Sequence, residues 1–177
     1  MISFLFALAF GAQTAPAPAP AAAPAAPAPG VWTFRESADP AQPKSSTAAV
    51  RAADGSRLLF RCDTVNVPIV SVQFMPKPAV AAGDARIVTL TLDEGMADMT
   101  SWLFPGKGAY NGETAEVFLI AEEIAKAKKV RLSFAEGETM IEREFAGPGG
   151  DAMFRKVYAT CGMPYSMPSV TPAPKTQ

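Results

Sequence analysis

Residues 86–104 read Arg-Ile-Val-Thr-Leu-Thr-Leu-Asp-Glu-Gly-Met-Ala-Asp-Met-Thr-Ser-Trp-Leu-Phe. Val88, Leu90 and Leu92 fall on one face of an extended chain, and Thr89, Thr91 and Asp93 fall on the other. That alternation is the signature of a strand buried on one side. Asp93-Glu94-Gly95 supplies turn chemistry, and Ala97–Phe104 returns as a second strand that ends at Pro105-Gly106. The stretch predicts antiparallel sheet.

The same pattern extends toward the N-terminus. Val31–Arg35 opens with Trp32 and Phe34 on one face, and Ser46–Ala52 and Arg57–Cys62 flank the Ala53-Asp54-Gly55 turn. Val65–Met75 is rich in β-branched residues, and Pro68 within it, lacking an N–H, predicts an edge strand or a bulge. Beyond Asn111 the period changes. Val117, Ile120, Ala121, Ile124 and Ala127 recur at helical spacing, with Glu113 and Glu116 at the start and Lys126, Lys128 and Lys129 at the end. This charge order suits the helix dipole and places a helix near 113–128. Val130–Ala135 and Thr139–Phe145 then form a hairpin around Glu136-Gly137-Glu138, in which Arg131 can face Glu142 or Glu144. After Gly147-Pro148-Gly149-Gly150, the stripe Met153, Phe154, Val157, Tyr158 and Cys161 predicts a C-terminal helix near 150–161, with Gly162 as its stop. The expected fold is mainly β with two helices: one antiparallel, β-sandwich-like domain over 31–163, with no internal repeat.

The ends are of another kind. Residues 2–12 are almost wholly apolar, shorter than the run of about 20 needed to span a bilayer, and small residues follow. Residues 1–15 are therefore expected to be a secretory signal peptide, the alternative being an apolar tail on a cytosolic protein. Residues 16–30 are a linker, and from Pro16 to Pro29 only Ala and Pro occur. Proline fixes φ and removes donors, which favours a semi-extended spacer with a rise of about 3.1 Å per residue. Residues 164–177, with Pro168, Pro172 and Pro174, are expected to be a disordered tail.

Composition narrows the function. The 177 residues carry 16 Lys+Arg against 17 Asp+Glu, a net charge of −1, and no histidine. Near-neutral charge argues against a nucleic-acid partner. Lacking histidine, the chain has no Ser-His-Asp or Cys-His pair and no His-ligated metal site; no metal, cofactor or integral membrane span is expected. The two cysteines, Cys62 and Cys161, form no CxxC pair. With an export signal, an even count points to one disulfide closing nearly the whole domain; two separate buried thiols are the alternative.

Candidate sites are few. Asp93/Glu94, Glu122/Glu123 and Glu142/Glu144 are carboxylate pairs, each read as solvated surface charge ahead of acid–base machinery. Trp102, Phe104 and Tyr110, with Gly106 and Gly108 between them, form an aromatic group in a flexible loop that offers rigid contact area to a sugar or peptide. Core packing explains Trp102 better, and Phe104 and Tyr110 stay open to either role.

Taken in order, several features resemble the VasI-like (type VI secretion-associated) exported bacterial proteins and, more loosely, the invasion-associated locus B group. These are Trp32 at the domain start, Leu59-Phe60-Arg61-Cys62 ending a strand, Leu92-Asp93-Glu94-Gly95 with Trp102 seven residues beyond the glycine, Phe145-x-Gly147, and Cys161-Gly162 ending the last helix. The resemblance implies a periplasmic β-rich domain with a Cys62–Cys161 disulfide and no assigned catalytic residues. The long Ala/Pro spacer and Ser37–Pro40 depart from that pattern. The expected function is an exported envelope binding or accessory module, periplasmic or secreted, whose partner is an envelope protein or cell-wall component. The rival is a small envelope hydrolase using carboxylates or a Ser-Lys pair.

Overall fold

The structure, a computed structural model, describes residues 27–37, 39 and 41–168. The leader at 1–15, most of the linker at 16–30 and the end of the tail lie outside the described residues. Among the described residues nine strands form one antiparallel sheet, interrupted in sequence by a helix between the seventh and eighth strands and followed by a second helix. The strands are β1 (Thr33–Glu36), β2 (Ser45–Arg51), β3 (Arg57–Asp63), β4 (Ile69–Met75), β5 (Gly83–Leu92), β6 (Ala97–Phe104), β7 (Ala109–Asn111), β8 (Lys129–Glu136) and β9 (Thr139–Ala146). The helices are α1 (Thr114–Lys126) and α2 (Ala152–Thr160). The spatial order is β1-β2-β3-β4-β7-β6-β5-β8-β9.

The expected β-rich architecture with two helices is present, with two departures. β4 begins at Ile69, one residue after Pro68, and lies inside the sheet between β3 and β7. Proline does not place this strand at an edge or force a bulge, because the ladder starts after it. The segment after Gly106, read as a flexible loop, contains β7, which bridges the two halves of the sheet. β7 pairs with β4 over three residues and meets β6 through Leu103 and Tyr110. An ideal Cβ at the buried Gly108 would lie 2.2 Å from the Phe74 carbonyl oxygen, so only glycine lets β7 approach β4 this closely.

The sheet folds over this junction, bringing the β2–β4 half against the β8–β9 half. Phe74 of β4 meets Phe134 of β8 and Phe145 of β9 edge-on, at centroid distances of 5.8 and 5.9 Å. Two polar ties close the ends. The Trp32 indole donates to the Ala146 carbonyl at 2.7 Å, joining the two edge strands at one corner. Arg143 of β9 pairs with Asp54 in the β2–β3 turn and donates to the Lys77 carbonyl at 2.7 Å. Burial alone would raise the Asp54 pKa, but hydrogen bonds from Ser56 and Arg143 outweigh it and hold the carboxyl below its usual range. Across the β8–β9 hairpin, Arg131 lies 3.8 Å from Glu142 and 4.0 Å from Glu144, as its register opposite Glu144 dictates.

Both helices cover the inward face of the β2–β4 half. α1 starts at Glu113, whose carboxylate accepts from the Thr114 and Ala115 N–H groups. It buries Val117, Phe118, Ile120, Ala121 and Ile124, and among the strands it packs mainly on β4. α2 packs on β2 and β3 through Phe154, Val157 and Tyr158, and Phe154 sits between Trp32 and Phe60. Packing continues past residue 163: Tyr165 lies edge-on to Phe118 and Tyr158, each at 5.2 Å. The first residues of the tail therefore belong to the folded domain.

Cys62 on β3 and Cys161 just after α2 form a disulfide, with Cα atoms 5.7 Å apart and a sequence separation of 99. For a loop of that length, the chain-entropy argument gives about 4.7 kcal/mol, and loss of a native disulfide from a small domain removes about 2–5 kcal/mol. Reduction, or the pair Cys62→Ala and Cys161→Ala, is expected to lower unfolding free energy by that amount in urea titration. A loss below 1 kcal/mol would contradict the clamp. Gly108→Ala is expected to cost on the order of 1–3 kcal/mol by overpacking the β4–β7 contact, read as a lower thermal midpoint.

Candidate functional site

The β1–β4 half has two unequal faces. Its inward face is covered by α2, α1 and the β8–β9 half; its outward face carries a groove of about 560 Å³. Strand alternation decides what lines it, because the residues opposite Ala48, Val50, Leu58 and Phe60 in the pleat must point away from the core. Three cross-strand rows result. In the first, Arg35 of β1 faces Thr47 of β2, which faces Arg61 of β3. In the second, Thr33 faces Ala49, which faces Leu59. In the third, Arg51 of β2 lies directly opposite Arg57 of β3.

The groove therefore has an arginine pair at each end and a floor of small, neutral side chains between them. Arg61 makes a two-pronged ion pair with the neighbouring Asp63 at 2.7 Å. Arg57 Nη2 rests 3.2 Å from Met75 Sδ. Among the described residues, no ion pair involves Arg35, Arg51 or Arg57. Like charges directly opposite in a sheet destabilise it, so the Arg51–Arg57 register opposes folding while concentrating positive charge.

The aromatic candidates are placed differently from a surface platform. Trp102 and Phe104 are 1% and 2% exposed, pointing into the core on β6. The Trp102 indole donates to Thr100 Oγ1 at 2.7 Å, and Phe104 packs on Phe134. Tyr110, half-buried on β7, faces Gln73 on one side and Leu103 on the other. The three rings thus do not share one surface.

The carboxylate pairs lie outside the groove. Asp93 and Glu94 are exposed at a turn, where Asp93 accepts from the Lys128 and Lys129 N–H groups and ties the end of α1 to the β5–β6 hairpin. Glu142 and Glu144 stand on the outward face of β9 beside Arg131 and Lys129. Partial burial and the nearby carboxylate of Asp98 raise the Glu123 pKa, but neither side chain lines the groove. The buried Ser56 hydroxyl donates to Asp54 and accepts from the Lys77 main-chain N–H, which commits it to holding the turn.

Disulfide aside, the residues this geometry brings forward, Arg35, Arg51, Arg57 and Arg61, were not singled out by sequence reasoning. They are spread over 27 positions and become neighbours only through register. The available hint was Arg57 and Arg61 recurring on the exposed face of one strand. No protein-family model, no curated protein and no solved structure matches this chain.

Removing half of the opposed pair should relieve repulsion. Arg57→Thr is expected to raise unfolding free energy by about 0.2–1 kcal/mol, measured in urea against the unaltered chain; a drop of 1 kcal/mol or more would mean that Arg57 serves packing.

Proposed function

We propose that the protein is an exported binding module of the cell envelope that holds an anionic partner on the outward face of β1–β4. The observation that carries this reading is the cluster of arginines there, three of them without an acidic partner among the described residues and two of them opposed across one strand pair. Guanidinium groups are planar donors suited to phosphate and carboxylate oxygens, and an arrangement that costs stability calls for a ligand that repays it. The Cys62–Cys161 bond supports an oxidising compartment, since such bonds are rare in reducing cytoplasm. Among the described residues no helix is long and apolar enough to cross a membrane, and the apolar leader and Ala/Pro spacer suit a module held away from its point of attachment. The likeness to VasI-like and invasion-associated locus B-like exported proteins agrees with this placement. The hydrolase reading has its best pair in Asp98 and Glu123, which lie away from the groove.

The test is crosslinking and capture from envelope fractions, with the unaltered protein beside the pair Arg51→Glu and Arg57→Glu. Capture of an anionic envelope component by the former and its loss with the latter is expected. Equal capture by both, or fractionation of the native protein with the cytoplasm, would overturn the proposal.

A further inference from the structure

The spacing of the arginines carries the proposal further. Arg51 lies four residues beyond Thr47 on β2, so the row holding Arg35 and Arg61 and the row holding Arg51 and Arg57 are separated by about 14 Å at 3.4 Å per residue. The first row's arginines stand on β1 and β3, about 10 Å apart across two strand spacings. Between the rows the floor is Thr33, Ala49 and Leu59, which carry no charge. Resting on the anion-binding reading, we propose that the groove takes a saccharide bearing two anionic groups, phosphate or carboxylate, one at each end of a neutral, hydroxyl-rich middle.

Three features select that class. Arg51 and Arg57 can present two guanidinium forks to one anionic group, and Arg35 offers a free fork to a second at the other row, where Arg61 is already held two-pronged by Asp63. The groove lies on the face of the sheet, where β2 is hydrogen-bonded on both sides to β1 and β3. A peptide lying across β2 and β3 would therefore find no free main-chain partners, and strand addition, the usual source of affinity for such a ligand, is confined to the outer edge of β1, away from the Arg51–Arg57 pair. Thr33, Thr47 and Gln73 supply hydroxyl and amide groups along the floor and rim, the partners that sugar hydroxyls use.

The experiment is calorimetric titration of the disulfide-intact protein with inorganic phosphate, with α,ω-alkanediol bisphosphates and dicarboxylates of increasing length, and with a disaccharide phosphorylated at one or both ends. The doubly phosphorylated disaccharide is expected to bind at least tenfold tighter than the singly phosphorylated one. The alkanediol series should show an optimum where its anions reach about 14 Å. Arg35→Ala with Arg61→Ala, and separately Arg51→Ala with Arg57→Ala, should each bring the doubly charged ligand down to the affinity of the singly charged one. Arg51→Lys with Arg57→Lys, which keeps charge and loses the fork, should fall between, with thermal midpoints reporting that the variants fold. Affinity independent of length and anion number would overturn the spacing inference and leave an anion-binding face. Tighter binding of an extended Glu-rich peptide or a single-stranded oligonucleotide would overturn the choice of a saccharide. If none of these anions binds while arginine-dependent capture from the envelope persists, the inference falls alone; if that capture is also lost, both proposals fall.

Discussion

The bond between Cys62 and Cys161 joins an inner strand of the β1–β4 half to the end of the last helix, closing most of the domain's sequence. A nine-residue helix has little stability of its own, since helix nucleation is costly and most helical stability in proteins comes from packing. Phe154, Val157 and Tyr158 supply that packing, and the covalent link keeps it from being lost by local opening. Because α2 is held on the inward face, the outward face is the one left open. A platform of paired strands with a fixed back also holds the main chain beneath its arginines in one arrangement, so binding orders side chains alone.

Charge on this protein is segregated more than it is abundant. The net charge of −1 is a sum over a surface on which positive charge gathers on β1–β3, while mixed pairs such as Arg131 with Glu142 and Glu144 occupy β8–β9. Near-neutral composition speaks only to that sum, whereas recognition depends on local field. A groove with cationic ends and a neutral floor is a more selective object than a uniformly basic patch, because it responds to where a ligand carries its charge.

The β7 segment illustrates how a fold is completed by pieces too short to announce themselves. Ala109-Tyr110-Asn111 has no room for a recognisable period. Its place is set by Gly108, which lets the chain approach β4, and by Asn111, whose side chain accepts from the Glu113 N–H and donates to Glu116 at the start of α1. With β7 in place the sheet is continuous and folds over, burying Trp102 and Phe104. The sequence places those rings in an aromatic group near Tyr110 but does not order them in space.

Local pattern determined much of this protein by itself: alternation in 86–104, helical spacing in 117–127 and turn chemistry at Asp54-Gly55 and Glu136-Gly137-Glu138 each act over a few residues. The strands other than β7, both helices and the β8–β9 ion pairs were legible for that reason, and cysteine count with export context indicated the covalent link. Strand order, the fold of the sheet at β7 and the juxtaposition of Arg35, Arg51, Arg57 and Arg61 were decided only in three dimensions. They depend on pairing register between segments distant in sequence, and a shift of one residue would turn every outward arginine inward.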